Sequence, residues 1–90
     1  MRLTDDQIRD QLSVTTGWDL QDPAISKTFN FADFKEAMVF VNKVADAAED
    51  MDHHPDILIT YNTVQISVYT HSEGGLTAKD FSLAKKINNL

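Results

Sequence analysis

The chain has 90 residues, no cysteine, and a formal net charge of −6 from 14 acidic and 8 basic side chains. This length fits a single domain, residues 1–90, and the absence of cysteine excludes a disulfide framework, a thiol nucleophile and a cysteine-based metal centre. The negative charge argues against direct nucleic-acid binding, and no apolar run approaches the roughly 20 residues of a membrane span. The polar, acidic amino terminus is unlike a signal peptide, so we expect a cytoplasmic protein.

The first third of the chain predicts a short helix followed by two strands. Thr4 and Gln7 have the spacing of a capping box, which marks a helix start. Residues 18–20 and 25–31 alternate between apolar and polar side chains, a pattern typical of strands. Asp22-Pro23 indicates the turn between these strands.

The strongest helical pattern runs from Asp33 to about Asp50. Its apolar residues fill about half of the helix circumference, whereas a helix that covers a sheet needs a stripe of only about 100°. The wide stripe comprises Phe34, Ala37, Met38, Phe40, Val41, Val44, Ala45, Ala47 and Ala48. The surplus indicates either a broad contact with the core or a helix–helix contact with another subunit.

Residues 57–61 and 64–70 have the composition of two strands, and Asn62-Thr63 between them predicts a two-residue hairpin turn. This register places six apolar side chains on one side of the sheet in three opposed pairs: Tyr61 and Val64, Ile59 and Ile66, Ile57 and Val68. Extended outwards, it sets His54 opposite His71. We therefore expect these histidines to meet at the open end of the hairpin.

A closing helix is predicted after Thr77, because Thr77 and Asp80 resemble a capping box with Asp in place of Glu. Phe81, Ala84 and Ile87 follow at helical spacing. The element order α-β-β-α-β-β-α predicts an α+β domain in which three helices pack on one face of a four-stranded antiparallel sheet.

The histidine cluster at His53, His54 and His71 has three interpretations: surface side chains without a chemical role, a metal site, or general acid–base groups. Neighbouring side chains of an extended segment point apart, so His53 and His54 do not easily bind one ion. Imidazole titrates near neutral pH, and two rings across a cleft can give and take a proton in one turnover. The nearby carboxylates that could orient the rings are Glu49, Asp50, Asp52, Asp56 and Asp80.

Taken together, these residues resemble the pterin-4a-carbinolamine dehydratase family. The motif is an acidic residue, three spacers, His-His-Pro, an aromatic residue, a third His and a later Asp. Here it is met by Glu49 or Asp50, His53-His54-Pro55, Tyr61, His71 and Asp80. Gly17-Trp18 and Phe31-Ala32-Asp33-Phe34 extend the resemblance over nearly the whole chain.

The resemblance implies loss of water from a 4a-hydroxytetrahydropterin to give the quinonoid dihydropterin. This reaction recycles the tetrahydropterin of aromatic amino-acid hydroxylases, so a functional link to such a hydroxylase is implied. A proton leaves the pterin N5 while another reaches the departing 4a-hydroxyl. Neither a metal nor a cofactor is implied for these steps.

The resemblance also implies the roles of individual residues. His53 and His71 would be the acid–base pair, and His54 would complete the catalytic set by holding the pterin ring. The substrate-binding residues would be Asp52, His53, His54, Thr70, His71 and Ser72. Two supporting acids, Glu49 and Asp80, would orient histidines.

A homotetramer built as a dimer of dimers is implied as well, with hairpin edges joined into a larger sheet and central helices meeting across a second interface. Some animal members of the family bind a homeodomain transcription factor and stabilise its dimer. The alternative function is therefore a protein-binding dimerisation cofactor or transcriptional coactivator. Such a module would tolerate the loss of His53 and His71, whereas the enzyme would not.

Overall fold

In a computed structural model of residues 1–90, three helices cover one face of a four-stranded antiparallel sheet. The elements are α1 (Asp5–Ser13), β1 (Asp19–Gln21), β2 (Ala24–Asn30), α2 (Phe34–Met51), β3 (Asp56–Thr60), β4 (Thr63–Val68), a 3₁₀ turn (His71–Glu73) and α3 (Ala78–Asn88). The strands lie in the order β1-β2-β4-β3, so β1 and β3 form the edges of the sheet. The predicted fold class and element order are confirmed. No helix combines the length and apolar character needed to cross a membrane.

The helices begin where local capping predicts. At α1 the Gln7 N–H donates to Thr4 Oγ1 over 3.2 Å, and the Thr4 N–H donates to Gln7 Oε1 over 2.9 Å. At α3 the Thr77 N–H donates to Asp80 Oδ2 over 2.8 Å. These contacts satisfy donors that a helix start otherwise leaves without partners.

The hairpin turn lies one residue earlier than the sequence predicts. Thr60 pairs with Thr63, so Tyr61-Asn62 forms the two-residue turn and the predicted turn at Asn62-Thr63 is wrong. Tyr61 takes the positive φ of 50°. The β-branched Thr63 thereby remains in the extended strand, where branching at Cβ is favourable.

The corrected register changes the pairs without changing the faces. Ile59 opposes Val64 rather than Ile66, a shift of two residues that keeps the paired strand side chains on their predicted sides. The predicted pair of Tyr61 with Val64 is wrong, because Tyr61 lies in the turn and is exposed. Extended beyond β3 and β4, this register sets Tyr69 opposite His54. The predicted pairing of His54 with His71 is therefore wrong, although both residues lie at the open end of the hairpin.

The core lies between the sheet and the helices. Its fully buried side chains include Ile25, Val44, Val64, Ile66, Phe81, Leu83 and Ile87. Only part of the apolar stripe of α2 joins this core: Ala37, Phe40, Val44, Ala47 and Ala48 are buried. Phe34 remains 50% exposed and Val39, on another side of the helix, 57% exposed. The apolar stripe of α2 is therefore wider than the surface that the helix buries within the single chain.

Candidate active site

The end of α2 determines where His53 lies. Asp52 adopts left-handed backbone angles, φ 49° and ψ 45°, which Asp tolerates better than most residues with a Cβ. The His53 N–H then donates to the Ala48 carbonyl over 3.0 Å, as in a Schellman helix ending. This ending turns the chain so that the His53 ring contacts α3.

The His53 ring contacts a buried carboxylate. Nε2 of His53 lies 2.6 Å from Oδ1 of Asp80, whose side chain is 0% exposed. The other carboxylate oxygen, Oδ2, accepts hydrogen bonds from the Thr77 N–H at 2.8 Å and the Thr70 hydroxyl at 2.9 Å. Burial of a carboxylate is costly unless its oxygens are hydrogen-bonded, and both oxygens of Asp80 are.

The second nitrogen of the His53 ring remains available to a ligand. The His53 side chain is 11% exposed to solvent. No buried side-chain nitrogen or oxygen lacks a hydrogen-bond partner, and Nδ1 of His53 has none in the chain. Nδ1 therefore reaches the surface and can exchange a proton with a bound molecule.

His54 points in a different direction from its neighbour. Its Nε2 lies 2.5 Å from Oε2 of Glu49 in the last turn of α2, and the two side chains are 57% and 75% exposed. An exposed pair of this kind contributes less than about 1 kcal/mol to stability. Of the five predicted nearby carboxylates, Asp80 and Glu49 each bind one histidine. Asp50, Asp52 and Asp56 form no hydrogen bond or ion pair with a histidine.

His71 begins the 3₁₀ turn that follows β4, and it is exposed. Its ring stacks on Tyr69, with ring centres 4.1 Å apart and planes inclined by 34°. Thr70, the residue before it, is bound to Asp80. The buried carboxylate therefore connects the segment carrying His71 to His53.

The predicted substrate-binding hydroxyls lie beside this network. Thr70 and Ser72 line a surface cleft of 270 Å³ together with Thr77. Neither this cleft nor the other principal clefts of the chain include a histidine side chain. His54 and His71 are exposed, whereas the His53 side chain is only 11% exposed.

Thr77 is the residue of this network that the sequence analysis does not assign to the site. The capping-box pattern identifies Thr77 and Asp80 as a helix start, and the family motif identifies Asp80 alone as functional. Asp80 belongs to both patterns, and this shared residue was the signal that could have identified Thr77. A carboxylate that caps a helix holds the capping residue close to any other group that the carboxylate binds.

The fold and this network define a class of α+β protein with histidines and carboxylates clustered at one end of a β-hairpin. Residues 1–90 match the model of the family described as pterin 4 alpha carbinolamine dehydratase, and the chain belongs to that family. The family resemblance found in the sequence is therefore confirmed, and with it the association with pterin dehydratases.

Individual relatives agree over their full lengths. A protein of Sulfolobus acidocaldarius, provisionally named pterin-4-alpha-carbinolamine dehydratase, is 46% identical over 90 residues, covering 100% of this chain and 99% of its own. A protein of Sulfurisphaera tokodaii with the same provisional name is 49% identical over 89 residues, covering 99% and 96%. The crystal structure of a transcriptional coactivator/pterin dehydratase from Brucella melitensis is similar with a TM-score of 0.95 and 38% identity, covering 99% of this chain and 97% of that one.

Proposed function

We propose that the protein is a 4a-hydroxytetrahydrobiopterin dehydratase, a hydro-lyase that converts a pterin-4a-carbinolamine to the quinonoid dihydropterin and water. The observation that carries this proposal is the contact between His53 and the buried Asp80, which leaves Nδ1 of the ring facing outwards. A fixed imidazole with one accessible nitrogen is suited to proton transfer.

The reaction needs only two proton transfers and the cleavage of one carbon–oxygen bond. The N5–H proton leaves to a base, the C4a–O bond breaks with its electron pair on oxygen, and the hydroxyl takes up a proton to leave as water. The electrons of the former N5–H bond form the C4a=N5 double bond. We assign these two transfers to His53 and His71, with no metal or cofactor required.

Binding of the pterin involves the residues that surround these rings. His54, held by Glu49, packs against the pterin ring and completes the catalytic set. Asp52, Thr70 and Ser72 contribute further polar contacts. The exposure of His54 and Asp52 and the cleft beside Thr70 support this assignment, since each lies next to a proposed acid–base residue.

We also propose that the working form is a homotetramer. β3 is a free edge of the sheet with Leu58 59% exposed, and Phe34 and Val39 of α2 are exposed apolar residues. Edge pairing through β3 and packing between α2 helices would cover these surfaces. Neighbouring chains would then supply walls around the open histidines.

The biological role that follows is recycling of tetrahydrobiopterin in the cytoplasm for an aromatic amino-acid hydroxylase. The carbinolamine is the product that such a hydroxylase releases, so the two activities act in sequence. The single-domain organisation over residues 1–90 is consistent with an enzyme that acts on a free small molecule.

The decisive experiment generates the carbinolamine and follows its dehydration by absorbance. His53→Ala and His71→Ala should each lower kcat by about 10²- to 10⁴-fold, the usual contribution of an acid–base group. Arg9→Ala is the control, because this exposed residue of α1 pairs only with Asp6. A double His53→Ala/His71→Ala variant that matches the wild type would exclude this assignment.

A protein-binding role is the second candidate, favoured by the Brucella melitensis relative being described as a transcriptional coactivator as well as a dehydratase. The same double histidine variant separates the two functions. If the protein were a dimerisation cofactor, both the wild type and the double histidine variant would stabilise a homeodomain dimer, as measured by sedimentation of the mixture. Because we propose a dehydratase, we expect the wild type to leave that dimer unchanged.

A further inference from the structure

A chain of hydrogen bonds leads from the start of α3 to His53. The Thr77 and Thr70 hydroxyl oxygens are 2.8 Å apart, and the Thr70 hydroxyl lies 2.9 Å from Oδ2 of Asp80. Oδ1 of the same carboxylate lies 2.6 Å from Nε2 of His53. The Thr77 hydroxyl oxygen also accepts a hydrogen bond from the Lys79 N–H at 3.3 Å.

The number of protons in this chain fixes its direction. An ionised carboxylate only accepts hydrogen bonds, so the single proton of the Thr70 hydroxyl points to Asp80. Thr70 can then only accept from Thr77, whose own hydroxyl proton is thereby directed to Thr70. Oδ2 of Asp80 accepts from the Thr70 hydroxyl and the Thr77 N–H, which leaves Oδ1 as the oxygen that faces Nε2 of His53.

We propose that Thr77 and Thr70 are positioning residues that hold His53 in one tautomer, with the proton on Nε2 and the lone pair on the outward Nδ1. This inference rests on the proposed dehydratase function and concerns one of its two proton transfers. In this tautomer His53 is the base that accepts the N5 proton through Nδ1.

The tautomer can be observed without an activity assay. In a ¹⁵N-labelled sample, two-bond ¹H–¹⁵N correlation spectra distinguish a protonated Nε2 from a protonated Nδ1, and His53→Ala identifies the signals. At a pH where the ring is neutral, the wild type is expected to show only the Nε2-protonated form. Thr77→Val and Thr70→Val should show a mixture of both forms, and Thr77→Ser should restore the wild-type spectrum. A wild-type ring protonated on Nδ1, or valine variants with unchanged spectra, would overturn the proposal.

Kinetics provide a second readout that a purely structural role would not give. Loss of one hydrogen bond predicts a fall in kcat of about three- to tenfold for Thr77→Val, with KM within about twofold of the wild type and recovery in Thr77→Ser. Because Thr77 acts through Thr70, the double valine variant should lose no more kcat than Thr70→Val alone. If the kcat losses of the two single variants multiplied in the double variant, Thr77 would not act through Thr70 and the proposed chain of hydrogen bonds would be contradicted.

The two proposals can fail separately. Thr77 also caps α3, whereas the Thr70 side chain makes no helix-capping hydrogen bond, so Thr70→Val tests the chain without weakening a helix start. A wild type with the Nε2-protonated ring but no dehydratase activity would reject the proposed function and retain the tautomer assignment. Dehydratase activity together with an Nδ1-protonated ring would retain the proposed function and reject the tautomer assignment.

Discussion

Asp80 combines two tasks in one carboxylate. Oδ2 accepts from the Thr77 N–H at the start of α3, and Oδ1 contacts Nε2 of His53. Both tasks require an acceptor, and the two oxygens of an ionised carboxylate accept on either side. Its complete burial keeps water from competing for either contact. The helix start and the orientation of the histidine are thus set by the same side chain.

Replacing this carboxylate by an amide should separate the two tasks. In Asp80→Asn, the amide oxygen is expected to keep the helix-capping contacts while the NH₂ group faces Nε2 of His53. The ring then has to accept at Nε2 and carry its proton on Nδ1, which is the wrong form for a base. We expect kcat to fall by about 10²- to 10⁴-fold with an unchanged circular dichroism spectrum.

The matched control for this variant is Asp50→Asn. Asp50 is an exposed acid of α2 whose one ionic contact is with Lys86 at 3.7 Å. Its kcat should stay within about twofold of the wild type, since exposed ion pairs contribute little. An Asp80→Asn enzyme as active as this control would show that Asp80 does not orient the base.

At Asp52 an unusual backbone conformation and a proposed role in substrate binding fall on the same residue. Its φ of 49° lies in the left-handed region, where a β-branched residue is strained. We expect Asp52→Gly to leave the free energy of unfolding within about 1 kcal/mol of the wild type, and Asp52→Val to cost about 1–2 kcal/mol more than the glycine variant. Urea denaturation followed by circular dichroism gives both values. Equal stability of the two variants would contradict the left-handed helix ending.

At the level of elements, a polar network joins the end of α3 to β2 and to the loop before β1. Lys27 lies on the helix-facing side of β2, and its Nζ donates to Asn88 Oδ1 at 2.9 Å and to the Thr16 carbonyl at 3.1 Å. The buried Trp18 donates Nε1–H to the same Asn88 oxygen at 3.0 Å. A lysine on the core side of a strand is tolerated because its ammonium group reaches these acceptors.

Removal of the shared acceptor should therefore destabilise the fold. Asn88→Ala leaves the Trp18 N–H without its partner and is expected to lower the free energy of unfolding by about 1–3 kcal/mol. Asn89→Ala is the adjacent control, because Asn89 is exposed and its side chain bonds only the Lys85 carbonyl of the preceding turn. Chemical denaturation followed by Trp18 fluorescence compares the two. Equal losses would mean that the network contributes nothing specific.

At the level of the whole molecule, the small core and the exposed apolar surface both favour self-association. A chain of 90 residues buries a limited share of its surface, and Leu58 and Val39 extend the apolar surface beyond the core on two separate elements. β3 offers unpaired backbone groups at a sheet edge, whereas α2 offers a helix face. The proposed dimer of dimers would cover both through two different self-contacts.

Sedimentation tests this assembly directly. We expect the wild type to sediment at about four times the chain mass of 10.1 kDa at micromolar concentration. Leu58→Asp and Val39→Asp should each yield dimers, since a charge in an apolar interface is strongly unfavourable. Val14→Asp is the control, because Val14 is an exposed apolar residue at the end of α1 and belongs to neither α2 nor β3. A wild type of 10.1 kDa would remove the tetramer from the proposal and leave the two aspartate variants without effect.

Local signals in the sequence were enough for the elements and their faces. The capping boxes at Thr4 and Thr77 form, and the alternation in β2 to β4 correctly separates core-facing from outward side chains. The predicted hairpin register was wrong, because two registers that differ by two residues bury the same strand side chains. The choice of Tyr61 for the positive-φ turn position depended on the strand pairing as a whole.

The amino-acid sequence by itself determined the fold class, the helix starts and the family, because capping, periodicity and a spaced motif all act within short segments. Only the tertiary structure decided which carboxylate each histidine contacts, His53 with Asp80 of α3 and His54 with Glu49 of α2. It also placed Thr70 and Thr77 side by side on Asp80. Hydrogen bonds between distant segments depend on angles and distances of a few tenths of an ångström, and these exist only once the helices have packed on the sheet.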